Sequence, residues 1–143
     1  PKQTIMDPAC GTGGFLLAAY EYLSKGKLDK DEKRHLRTKA LHGVEIVDNT
    51  ARLCAMNMLL HGIGGDGCPI SVEDSLAKKP SQSFDMVLTN PPFGKKSSMT
   101  VINEEGETSR ESLTVYREDF WASTSNKQLN FLQHVRSLLK ING

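Results

Sequence analysis

The chain has 143 residues, 38% of them hydrophobic and 24% charged, which is the size and balance of one globular domain and excludes a disordered polypeptide. A formal net charge of +1 excludes a uniformly basic, DNA-coating surface. Three cysteines without C-x-x-C spacing and four histidines without ligand spacing speak against a disulfide framework or a metal site, and no apolar run approaches the roughly 18 residues of a membrane span, so a cytoplasmic protein without membrane contact is expected.

Residues 4–6 form a short apolar run stopped by Asp7-Pro8, which predicts a buried strand. Gly11-Thr12-Gly13-Gly14 is a tight turn, and residues 15–23, apolar except for Glu21, predict a helix packed on a sheet. Residues 25–39 hold seven basic and three acidic side chains with only Leu28 and Leu36 to bury. That pattern predicts a solvated helix or loop, with a phosphate-binding patch as the alternative. Residues 41–47 predict a second strand, followed by a helix through Leu60 with Asp48 as N-cap and Gly62 as terminator. Residues 70–72 and 85–89 predict a third and a fourth strand, the last cut off by Asn90-Pro91-Pro92. Residues 94–124 are rich in Ser, Thr and Glu without a clear period, which predicts a long mobile loop. A final helix is expected from a Ser125–Gln128 capping box, burying Leu129, Leu132, Val135 and Leu139 with Phe131 and Leu138 alongside, and ended by Asn142-Gly143. The order predicts an α/β fold with a parallel sheet and helices on both faces. The chain begins just before its first strand and ends where a fifth is due, so it reads as a piece of a longer protein.

Ligands of open α/β sheets bind beyond the carboxyl ends of the strands. Each predicted strand ends in a polar residue there: Asp7, Glu45, Asp74 and Asn90. Singly each has a local explanation, since Asp7 can be a turn residue and Asp74 a cap. The first turn, residues 7–14 (DPACGTGG), lets backbone approach a ligand closely at Gly11 and Gly13. It is neither a G-x-G-x-x-G fingerprint nor a P-loop. Glu45 can accept from both hydroxyls of a ribose. In Asn90-Pro91-Pro92-Phe93 the two prolines remove backbone donors, which leaves the Pro91 carbonyl a fixed acceptor beside the Asn90 side-chain carbonyl. Two acceptors and the Phe93 ring suit a planar aromatic amine. A rigid turn with Phe93 in the core is the plain alternative.

Residues 7–14, Glu45, Asp74 and residues 90–93 resemble motifs I to IV of the S-adenosylmethionine-dependent N6-adenine DNA methyltransferases. The flanking text, DPACGTGGFL (7–16), NMLLHG (57–62), TNPPFG (89–94) and SNKQLNF (125–131), is similar to the modification (M) subunit of type I restriction–modification systems. The resemblance covers nearly the whole chain and is weakest in residues 25–39 and 97–124. It implies a Rossmann-like methyltransferase sheet, incomplete at its C-terminal side, with residues 1–143 a partial catalytic domain that does not act alone. It implies S-adenosyl-L-methionine held by Asp7 at its amino group, Gly11 and Gly13 along its methionine part, Glu45 at its ribose and Asp74 at its adenine amine. It places Asn90 and the Pro91-Pro92 turn at the amine of an adenine flipped out of double-stranded DNA, with Phe93 stacked on the ring. It also implies specificity (S) and restriction (R) subunits as partners. Three rivals remain: a protein-glutamine methyltransferase, which shares the Asn-Pro-Pro acceptors; a cofactor-binding assembly subunit; and a nucleotide-dependent oxidoreductase, which the spacing of the first turn disfavours.

Overall fold

The structure, a computed structural model, describes residues 2–65, 67–92, 98–102, 108–112 and 114–141. The four apolar runs become the strands β1 (Ile5–Asp7), β2 (Leu41–Glu45), β3 (Ile70–Val72) and β4 (Met86–Val87). They pair in parallel in the order β3-β2-β1-β4. The register sets Ile5 between Leu41 and Met86, and Glu45 beside Val72. All four carboxyl ends therefore open on one edge of the sheet.

Side chains alternate across a strand, so Ile5 and Met6 face opposite layers. On the Ile5 side lie the helices α1 (Gly14–Ser24), α2 (Lys30–Thr38) and α3 (Asp48–Leu60). They bury Leu16, Ala19, Leu36, Cys54 and Met58 against Ile5, Leu41 and Ile70. On the other side α4 (Lys127–Leu138) brings Leu138 onto Met6 and Phe84. Helices thus cover both faces, as the pattern of the chain requires. The charged stretch before β2 is a helix whose only buried residue is Leu36, started by a capping box in which Asp29 and Glu32 bond each other's backbone N–H. No helix among the described residues is long and apolar enough to cross a membrane.

The structure departs from the sequence expectations at several element ends. Val47, not Asp48, is the N-cap of α3; Asp48 sits in the first turn and pairs with Arg52 at 2.8 Å. For α4 the N-cap is Asn126, whose side chain accepts from the N–H groups of Gln128 and Leu129, so the Ser125–Gln128 capping box does not form. The helix ends at Leu138, because Leu139 turns extended and pairs beside Phe84; the expected stop at Asn142-Gly143 lies outside the described residues. The buried face of α4 is also different. It carries Asn130, Phe131, Gln133, His134 and Leu138, whereas Leu129 and Leu132 are exposed. Asn130 and Gln133 are buried because their amides satisfy the backbone of the preceding segment: Asn130 Nδ2 donates to the Thr124 carbonyl at 2.9 Å, and Gln133 both accepts from Ala122 N–H at 2.9 Å and donates to its carbonyl at 3.0 Å.

Residues 94–124 contain regular structure where composition predicts loop. β5 (Ser98–Ile102) and β6 (Thr108–Ser112) pair antiparallel in a separate two-stranded sheet. The part beyond it, 114–124, is closed by an antiparallel bridge between Val115 and Thr124 and pinned to α4 by the amides just described.

Candidate active site

Three loops at the carboxyl edge are tied together before any ligand is considered. The turn after β1 is anchored by Cys10 N–H to the Val44 carbonyl at 2.9 Å. Gly11 sits at φ +54° and donates its N–H to Glu45 Oε2 at 3.0 Å. The other oxygen, Oε1, accepts from Val47 N–H at 2.9 Å. The Glu45 carboxylate therefore stitches the first turn to the end of β2, and each oxygen keeps a further lone pair for a hydroxyl donor. The loop after β3 joins from the other side. Asp74 Oδ1 accepts from Leu76 N–H at 2.9 Å, and Ser75 Oγ donates to the Pro8 carbonyl at 2.6 Å.

These loops border a cavity of about 710 Å³, within the range of small-molecule sites. Glu45, Asp74 and Asn90, predicted from three different strand ends, all line it, and Pro92 stands beside Asn90. Val115, Tyr116 and Phe131, from the segment before α4 and from α4 itself, line it as well. Gly11 has no atom within 4 Å of where a Cβ would stand, so this turn presents open space to an approaching molecule.

Two predicted residues are placed differently from the rest. Asp7 is only 1% exposed and lies beneath the turn, where Oδ1 accepts from Ala9 N–H at 3.1 Å. Burial raises its pKa, opposed by the Thr89 hydroxyl and the Ala9 N–H and aided by the Glu45 carboxylate. Gly13 is the N-cap of α1 at φ +88°. A Cβ there would stand 2.7 Å from Met58 Cε and 2.8 Å from Cys54 Sγ, so this glycine lets α1 pack onto α3. Phe93 lies outside the described residues.

Three supports went unread in the sequence. Asn57 Nδ2 donates to the Thr12 carbonyl at 3.0 Å, which fixes the turn from α3. Beside it Cys10 and Cys54 share a buried S–H···S contact of 3.8 Å; that contact and burial push the Cys10 thiol up. The third is Arg117, 4% exposed in its side chain. Its guanidinium donates from Nε to Asp119 Oδ1 at 3.0 Å and from Nη2 to Oδ2 at 2.6 Å, in the fork geometry arginine favours with carboxylates. Nη1 reaches the Ser75 carbonyl at 3.2 Å and His134 Nδ1 at 3.0 Å, and the group lies 4.2 Å above the Phe120 ring. His134 accepts through Nδ1 and is neutral: burial and then the Arg117 charge push its pKa down to about 4, against the pull of Asp119 and Asp74. One buried arginine thus joins the loop after β3, the 114–124 segment and α4.

The N-6 DNA methylase family profile matches residues 1–143, the whole chain. The chain belongs to the N-6 DNA methylase family. It is 34% identical, over all of its length and 26% of the relative's, to the type I restriction enzyme StySPI methylase subunit of Salmonella potsdam. The crystal structure of the type I restriction enzyme EcoKI M protein superposes with a TM-score of 0.76 at 34% identity, over 97% of this chain and 28% of that one. A structure described for the complex assembly and conformational transition of the type I R-M system superposes with a TM-score of 0.75 at 29% identity, over 97% and 26%. The chain therefore spans about a quarter of the length of the proteins it matches. The resemblance read from residues 7–14, Glu45, Asp74 and 90–93 holds, and with it the methyltransferase fold. A methyltransferase of this family works with an S-adenosylmethionine-type methyl donor, and the open turn at Gly11, the Glu45 carboxylate and the size of the cleft fit such a molecule.

Proposed function

We propose that the protein transfers a methyl group from S-adenosyl-L-methionine to N6 of adenine in double-stranded DNA, as part of the modification subunit of a cytoplasmic type I restriction–modification system. The observation that carries this reading is the convergence of Glu45, Asp74 and Asn90 on one cavity beyond the strand ends. Two carboxylates and a side-chain amide, with backbone kept close by glycine, match a nucleoside at one end and an amine at the other.

Glu45 would accept from the ribose hydroxyls with the lone pairs its backbone partners leave. Charge-assisted bonds of this kind are roughly twice as strong as neutral ones. Asp74 would accept from the cofactor's adenine amine, and Gly11 would admit its methionine part. Asp7, beneath the turn, would set the electrostatics at the amino group through the Ala9 peptide it holds. When bound, the cofactor supplies an electrophilic methyl carbon on a sulfonium leaving group. The protein's own work is then alignment: the Asn90 side-chain oxygen and the Pro91 carbonyl accept hydrogen bonds from the N6 amine, the Pro91-Pro92 turn keeps both acceptors fixed, and the one proton N6 sheds on methylation passes to solvent. The adenine must leave the duplex to reach them, at a cost of a few kcal/mol, with Phe93 proposed as its stacking face.

Relatives are named as methylase subunits of type I restriction enzymes, which supports specificity and restriction subunits as partners here. In that arrangement the specificity subunit chooses the DNA site. The test is a labelled-methyl assay of the full-length protein on adenine-containing duplex DNA, with and without a specificity subunit. The expected result is label recovered as N6-methyladenine, dependent on that subunit. Label recovered instead on a protein glutamine, or transfer to neither, overturns the proposal.

A further inference from the structure

We propose that Tyr116 is the aromatic wall on which a purine ring lies in the cleft, carried on a segment that buried Arg117 ties to the loop after β3. The inference rests on the proposed methyl transfer only for the identity of the purine.

Tyr116 is 78% exposed although it lines the same cavity as Glu45, Asp74 and Asn90. A large ring left that open, in a cavity also lined by polar groups able to read the edge of a base, contributes little to the packing of the described residues. Its backbone, by contrast, is fixed on both sides. Val115 N–H donates to the Thr124 carbonyl at 3.1 Å. Arg117 is locked by Asp119, the Ser75 carbonyl and His134. Ser75 follows Asp74 directly and bonds Pro8, so the guanidinium ties the segment bearing Tyr116 to the loop that carries the proposed adenine acceptor. The backbone that bears the exposed ring is thereby tied to the loop of Asp74. That is the arrangement a planar heterocycle needs: a face supplied by an aromatic side chain and an edge read by a carboxylate or amide. Base–aromatic stacking tolerates any base, because every base has a π-face. The polar residues of the cleft then select the purine.

Two purines enter such a site, the adenine of the cofactor and the flipped adenine of DNA, and two assays on the full-length protein separate them. Tyr116→Ala alters an exposed side chain and leaves the fold in place. Calorimetry with S-adenosylmethionine reads the first purine, and the KM for plasmid DNA in the complex with the specificity subunit reads the second. Stacking is worth about 5- to 150-fold in affinity, so Tyr116→Ala should weaken one of the two by about tenfold or more, while Tyr116→Phe, which keeps the ring, restores it. A change confined to the calorimetric value assigns the ring to the cofactor, and a change confined to the DNA KM assigns it to the substrate. Both values within twofold of wild type, or a loss in Tyr116→Phe equal to that in Tyr116→Ala, overturns the proposal. If the wild-type protein binds the cofactor and methylates no adenine, the functional proposal falls, and the calorimetric arm still decides whether Tyr116 stacks on a purine.

Discussion

Lowering the pH should weaken this fold through His134. Its folded pKa of about 4 lies below the ordinary 6.5, so between those values the unfolded chain takes up a proton that the native one refuses. The contribution is present above pH 6.5 and is lost as pH falls toward 4. From the two pKa values the loss is about 1 kcal/mol at pH 6, about 2 at pH 5 and about 3 at pH 4. Protonation would also remove the lone pair that His134 Nδ1 offers Arg117. Other groups act in the same experiment. Asp85, held well below its ordinary value by Lys140 and Thr4, loses stability only at still lower pH. Asp7, raised by burial, has the opposite sign, because its protonation relieves a buried charge. A His134→Asn variant keeps an acceptor for Arg117 without the titration and leaves both aspartates in place. Urea denaturation at pH 7.5, 6 and 5 should show wild type losing about 2 kcal/mol more than the variant over that range. Parallel stability curves for the two would refute the buried, neutral histidine.

Glu45→Gln should weaken S-adenosylmethionine binding, measured by calorimetry, and loosen the first turn by weakening its bonds to Gly11 and Val47; unchanged affinity removes Glu45 from the site. Gly13→Ala should destabilise the fold by about 1–3 kcal/mol, from overpacking against Met58 and Cys54 and from a backbone conformation alanine disfavours. Denaturation at wild-type stability would contradict that packing. The 143-residue chain by itself presents β4 at the sheet edge with Met86 exposed, and just before it Phe84 pairs with the segment after α4, donating its N–H to the Leu138 carbonyl and accepting from Lys140 N–H. Apolar edges of this kind recruit other chains, so sedimentation should detect self-association, and a stable monomer would count against it.

Much of the architecture was legible because it is local. The apolar runs at β1, β2 and β3, the glycines after β1 and the polar residue at each strand end follow from hydrophobic pattern and backbone freedom, and in the structure Glu45, Asp74 and Asn90 border one cavity. What stayed hidden depends on distant partners. Arg117 and Asp119 went unread, because nothing in an Arg-x-Asp spacing says that Ser75 and His134 complete the set. The face of α4 was misread for the same reason: Asn130 and Gln133 look like solvent positions until the backbone at Ala122 and Thr124 supplies their hydrogen bonds. β5 alternates apolar residues only at Met99 and Val101 and β6 (TSRES) has none, so the pair has no two-sided local signature.

The central claim is that Asn90 faces the reacting amine and not the cofactor. Single-turnover methyl transfer by Asn90→Ala in the full-length complex, with cofactor affinity measured on the same sample, tests it most directly. Losing a fixed hydrogen bond at a reacting centre costs on the order of 3–4 kcal/mol, so the transfer rate should fall by about 10²- to 10³-fold while S-adenosylmethionine affinity stays within a few-fold. A near-normal transfer rate, or a collapse of cofactor binding with the rate at saturation preserved, would contradict the account.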